Sequence, residues 1–203
     1  MSADTIPMSE RVTQPEAAPE GAAKTESRPL VELMPTGTPL MLATGTAVVL
    51  FAASFIMFGL HGRALVGAVL CPALVFLAAI DAKHKLLPNA IILPATLAIG
   101  LIVAASTPGS FLPHLAAAAA LGGFFFIFGL VFAGSLGMGD AKLGFLLGLA
   151  LGAKTFGAAL IAFTGLLVAA VYVLAKRGTA ARKDAIPFGP FLALGGIVAF
   201  FLG

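Results

Sequence analysis

Residues 155–175, TFGAALIAFTGLLVAAVYVLA, contain no charge and no proline, and Lys176-Arg177 follow at once. About 20 apolar residues in a helix span a ~30 Å hydrocarbon core. With no water to bond, a backbone crossing that core must satisfy itself as a helix or a closed barrel, and an unbroken run of this length fits the helix. Outward from it, the chain beyond Pro39 divides into apolar runs at 40–60, 64–86, 90–105, 114–136, 140–153, 155–175 and 187–202. The spacing predicts an all-α, polytopic bundle of about seven transmembrane helices. The runs 90–105, 140–153 and 187–202 are short. Pro94 and Pro190 lie within such runs, where neighbouring helices can re-satisfy the freed backbone groups.

Composition points the same way. The 203 residues are 60% hydrophobic and only 10% charged, with a mean hydropathy of +1.06. A soluble domain carries about a quarter charged residues. The single Cys71 excludes a disulfide framework and a multi-cysteine zinc site. A net charge of +3, spread around the apolar runs, is not the basic patch of a nucleic-acid binder. Residues 1–37 differ from the rest, with five of the prolines and six of the nine acidic residues. Such a stretch buries too little apolar area to offset its ordering entropy. It also lacks the charged start and apolar run of a signal peptide. The expected division is a disordered cytoplasmic tail over 1–37 and a transmembrane domain over 38–203.

Charge sets the orientation. With a cytoplasmic N-terminus, Lys83, Lys85, Lys142, Lys176, Arg177, Arg182 and Lys183 fall inside, and only Arg63 and Lys154 outside. This is the positive-inside pattern.

Beyond Glu32 the chain has three carboxylates: Asp81, Asp140 and Asp184. Asp184 sits in a basic connection and needs no special explanation. A charge within a span costs ~2.5–3.5 kcal/mol on insertion scales and suggests function. Asp81 could also be a residue that ends a helix at the interface, and Asp140 a plain helix N-cap. The topology puts both on one membrane side. Pro88 biases Leu87 away from helix, so the second helix is expected to run to about Leu86, with Asp81 more than a turn inside its end. Gly137-Met138-Gly139 is expected to be non-helical backbone lining a cavity, its glycines permitting close approach. The helix dipole favours the anion of Asp140, at a helix start, and disfavours that of Asp81, toward a helix end, so Asp81 is the expected holder of a shared proton.

Three segments carry a family resemblance. Asp81-Ala-Lys-His-Lys-Leu-Leu-Pro88-Asn89, Gly137-Met-Gly139-Asp140-Ala-Lys142-Leu143 and Ile186-Pro187-Phe-Gly189-Pro190-Phe-Leu192 together resemble the type IV prepilin peptidases, GxGD aspartyl proteases of the membrane. The resemblance implies an aspartic endopeptidase in the cell (inner) membrane, with Asp81 and Asp140 as its catalytic pair. Its substrates would be prepilin-like proteins, cut at the cytoplasmic face between a short basic leader and an apolar helix. The implied partners are these substrates, membrane lipids and pilus or secretion machinery.

Two adjacent carboxyls in a low-dielectric site share a proton and activate a water, which calls for no cofactor and no metal. Lys142 has two readings, stabilising Asp140 or guiding the leader on one hand and snorkelling to the interface on the other. Asn89 either bonds near the site or N-caps the next helix. Pro187, Gly189 and Pro190 are expected to shape the start of the last helix rather than do chemistry. Longer family members carry a four-cysteine zinc domain and methylate the pilin, which the polar tail and lone Cys71 do not suggest here. The rival readings are a proton- or cation-coupled transporter, which predicts polar residues through the full depth of the bundle, and an inactive scaffold for pilus assembly.

Overall fold

The computed structural model describes residues 30–131, 137–177 and 186–202. Seven long helices occupy the seven predicted runs: α1 (Thr38–Phe58), α2 (Gly62–His84), α3 (Asn89–Ser106), α4 (Phe111–Val131), α5 (Met138–Leu151), α6 (Thr155–Arg177) and α7 (Gly189–Leu202). No strand occurs among the described residues. Five stretches are long and apolar enough to cross a membrane, with α5 and α6 forming one continuous apolar stretch, while α7 is shorter. Of the expected tail, residues 1–29 lie outside the described residues, as do Arg182, Lys183 and Asp184. Leu30–Leu33 forms one helical turn, and Leu33 is buried.

The helices pack by how much of their circumference is apolar. Nearly every side chain of α5 from Asp140 to Leu151 is buried, and a helix that is apolar all round belongs at the centre of a bundle. Leu143, Leu146 and Leu147 of α5 meet Leu70, Leu74 and Leu77 of α2, Ile92 and Ile99 of α3, and Leu192 of α7 in one continuous core. α1 lies against α2 at the edge, with Val48, Val49 and Ile56 turned outward. Backbones approach closely where glycines allow it. A Cβ on Gly148 would meet the Ala118 backbone of α4, and one on Gly195 would meet the Ala158 carbonyl of α6. Small residues at such crossings let membrane helices gain dispersion contacts in place of a hydrophobic drive.

Two helix ends differ from expectation, each for a local reason. α2 stops at His84, two residues early, because Lys85 turns into the left-handed region (φ 54°, ψ 40°). The Lys85 N–H still donates to the Asp81 carbonyl at 2.8 Å, closing the last turn. Asp81 therefore lies within that last turn rather than deeper. α5 begins two residues earlier than a non-helical Gly137–Gly139 segment implies, since Met138 and Gly139 are already helical.

Candidate active site

Asp81 lies in the last turn of α2 and Asp140 in the first turn of α5, and both are buried, at 6% and 9% exposure. They lie at the same end of the bundle, near enough for the Asp81 charge to act on Asp140. Each is tied to a backbone donor. The Gly137 N–H donates to Asp140 Oδ2 at 3.1 Å, so the carboxylate reaches back one turn and holds the start of its own helix. This cap is why α5 can begin at Met138.

The Gly189 N–H donates to Asp81 Oδ2 at 2.9 Å, a buried bond between residues 108 apart. Gly189 opens α7, where the first N–H groups have no partner within the helix. Asp81 supplies that partner from another helix. A Cβ on Gly189 would sit 2.6 Å from Asp81 Oδ2, so only glycine fits. Gly189 thus opens α7 and also touches a candidate catalytic side chain. The contact also sets the positive start of α7 against the unfavourable end of α2 at Asp81. Each now faces the positive start of a helix, Asp140 that of α5 and Asp81 that of α7.

The supporting residues order the same end. Pro88, not Asn89, precedes the first turn of α3, and its carbonyl accepts from the Ile91 and Ile92 N–H groups. The N-cap reading of Asn89 therefore fails. Freed from capping, Asn89 Oδ1 accepts from Lys142 Nζ at 2.8 Å, which joins the start of α3 to α5 one turn beyond Gly139. A Cβ on Gly139 would meet Leu87 Cβ at 2.7 Å, whereas one on Gly137 would make only ordinary contact. Neither has positive φ, so close approach explains the second glycine, and backbone freedom explains neither. Pro190 lies in the first turn of α7, where its missing N–H breaks no helical bond. Pro187 lies two residues before the start of α7 and is half-buried. His84 has a buried Nε2 with no hydrogen bond to the described residues.

Sequence reasoning missed Leu87 and Phe188. Phe188 precedes Gly189 and packs edge-on with Phe125 of α4 (5.5 Å between centroids) and tilted against Phe163 of α6 (5.4 Å). The aromatic clamp fixes where α7 starts and so where the Gly189 N–H points. Only their places inside two of the quoted segments marked these residues.

Residues 68–174 match the sequence profile of the type IV leader peptidase family. Over 161 residues the chain is 35% identical to a prepilin leader peptidase/N-methyltransferase of Bacillus subtilis (strain 168), covering 76% of this chain and 62% of the relative. Proteins of the same name from Burkholderia pseudomallei strains 1026b and K96243 are 34% identical over 171 residues, covering 80% of this chain and 53% of theirs. The chain thus spans between about half and two thirds of the length of these relatives. No solved structure matches it. The profile covers more than half of the chain and includes both buried aspartates, with all of α5 and most of α2. On that match, the chain belongs to the type IV leader peptidase family.

Proposed function

We propose that the chain is an aspartic endopeptidase that removes the short basic leader of prepilin-like substrates at the cytoplasmic face of the inner membrane, with Asp81 and Asp140 as its catalytic pair. The observation that carries the reading is two buried carboxylates within electrostatic reach, each held by one oxygen on a backbone N–H. Oδ2 of each is committed to the backbone, which leaves Oδ1 of each for the chemistry. One carboxylate takes a proton from water as the water oxygen attacks the scissile carbonyl carbon. The other carboxyl polarises the carbonyl oxygen. The leaving nitrogen takes up a proton as the C–N bond breaks. Two like charges buried near one another ionise together only at high cost, so the pair holds one proton between them. The N-terminus faces the cytoplasm in this reading, in line with the distribution of Lys and Arg. A transporter would place polar groups through the full depth of the bundle, and among the described residues the only buried polar side chains besides the two aspartates are Ser54 and Thr155, each near a helix end.

The test is leader removal, read as a mass shift after purified full-length chain is mixed with a candidate prepilin. Asp81→Asn and Asp140→Asn are each expected to lower the rate by at least about 100-fold, the contribution of a positioned acid or base. Both variants should insert and unfold like the parent. Near-parental cleavage by either one rejects the pair. Asp184→Asn should be silent.

A further inference from the structure

Phenylalanine rings close the side of the bundle between α4 and α6, and they fall into two pairs by burial. Phe125 and Phe188 are buried, and their packing holds the start of α7. Phe124 and Phe163 are exposed, at 50% and 40%, and their rings meet edge-on with centroids 6.5 Å apart. Phe163 also packs against Phe125 at 6.0 Å, so the outer pair rests on the inner one. Each helix is held to a different neighbour by close backbones, α4 to α5 at Gly148 and α6 to α7 at Gly195. Between α4 and α6 the described backbones scarcely approach each other, and rings make the contact. A seam made of side chains opens by rotamer changes, without parting tightly packed helices.

The seam lies beside the carboxylates. Phe125 covers Gly144, where a Cβ would meet its ring at 2.6 Å. Asp140 and Gly144 are four residues apart and share one face of α5. The face under the rings therefore carries Asp140 one turn, ~6 Å, nearer the helix start. Toward that end both flanking helices lack a packed face. From Phe163 to Lys176 no residue of α6 is buried, and from Phe126 to Val131 none of α4. A helix in a bundle ordinarily buries one stripe of its surface. Leu167 and Leu174 continue the Phe163 face of α6, and Ile127 and Val131 continue the Phe124 face of α4, all of them exposed. One such stripe is ordinary against lipid. Two that flank a single seam, at the level of two buried carboxylates, make a slot for an apolar helix arriving from the bilayer. A lipid tail would fill the slot but has no peptide bond to bring to its catalytic end.

We propose that the apolar helix of the substrate docks between the aspartate-end halves of α4 and α6. It displaces the contact of Phe124 with Phe163, and the peptide bond before it reaches Asp81 and Asp140 from the side. The inference rests on the endopeptidase reading of the same site, so docking is measured apart from cleavage. The probe is a synthetic peptide with a basic leader and an apolar helix of about 20 residues. All chains are full-length, purified and in a Cys71→Ala background. With Asp140→Asn present, Leu167→Cys should form a disulfide with a cysteine early in the peptide's helix. Val48→Cys, equally exposed but on α1, should not. In a second chain, Phe124→Cys and Phe163→Cys are joined by a short, reducible bifunctional thiol reagent that holds the seam shut. Joining should slow cleavage of the full peptide by about tenfold or more, spare a peptide truncated just after the cut, and be reversed by reductant. Equal cross-linking at Leu167→Cys and Val48→Cys overturns the docking site. A joined seam that cuts both peptides at unchanged rates overturns entry between α4 and α6. Disulfides between two copies of the Leu167→Cys chain, with none to the peptide, overturn the substrate as occupant. Specific cross-linking to the peptide by a protein whose parent cuts no leader supports the docking surface and rejects the endopeptidase reading.

Discussion

Gly189, Gly139 and Gly137 look alike in sequence and differ in what surrounds them. An alanine at 189 would place a methyl 2.6 Å from Asp81 Oδ2 and push the carboxylate off its donor. Displacements near 1 Å at a reacting group cost on the order of 100-fold, and Gly189→Ala should lose about that much leader cleavage. Gly139→Ala should also be impaired, because Leu87 must move and take Pro88 and Asn89 with it. Gly137→Ala meets nothing closer than Asp140 Oδ2 at 3.6 Å and should cleave at close to the parental rate. Leader-removal rates of the three purified variants check this order. A defect in Gly137→Ala equal to that in Gly139→Ala would point to backbone freedom and away from close approach. The two aspartates were legible in the sequence because charge in an apolar run is rare. Their anchors were not, since no local pattern tells an aspartate in α2 that its partner is the N–H of Gly189.

The helices themselves were legible to within a few residues. Predicted runs at 90–105 and 187–202 became Asn89–Ser106 and Gly189–Leu202. What escaped was the chemistry of their ends: the left-handed Lys85, the reach of Asp140 back to Gly137, and the pairing of Asn89 with Lys142. That last bond ties α3 to α5 beside the site. In a double-mutant cycle on thermal unfolding, Asn89→Ala and Lys142→Ala should couple by about 1 kcal/mol, the net value of one hydrogen bond at a part-exposed position. Additive effects would mean that the bond holds nothing. The aromatic clamp on Phe188 belongs to the same scale. Phe188→Ala should lower stability by about 3–5 kcal/mol and cleavage with it, while Phe188→Leu, which refills most of the volume, should recover much of both.

For the whole molecule, the seven runs implied a bundle but not which helix would be central. That role falls to α5, whose 14 residues are among the fewest of any long helix, because it is small and apolar on every side. At ~1.5 Å per residue α5 and α7 are each about 21 Å long, short of a ~30 Å core. Both end at the cavity lined by Leu151 and Phe200, so their starts, where the carboxylates sit, are recessed from the opposite interface. The side on which they sit can be measured. In a Cys71→Ala background, Lys83→Cys should react with an impermeant thiol reagent only in inverted vesicles, and Thr107→Cys only in intact cells. The reverse pattern would put the aspartates on the outer face.

The bond from Gly189 to Asp81 joins the second long helix to the last, across 108 residues of chain. A ribosome working at roughly 5–20 residues per second needs about 5–20 s to cover that distance. Throughout that interval α7 does not yet exist, so Asp81 lacks the donor that orients it. Once Asp140 has been made, the nascent protein carries both aspartates but only half of the proposed site, which the final helix completes. On the proposed function, a polypeptide released before Gly189 is made should leave leaders uncut, so that synthesis itself acts as the safety catch.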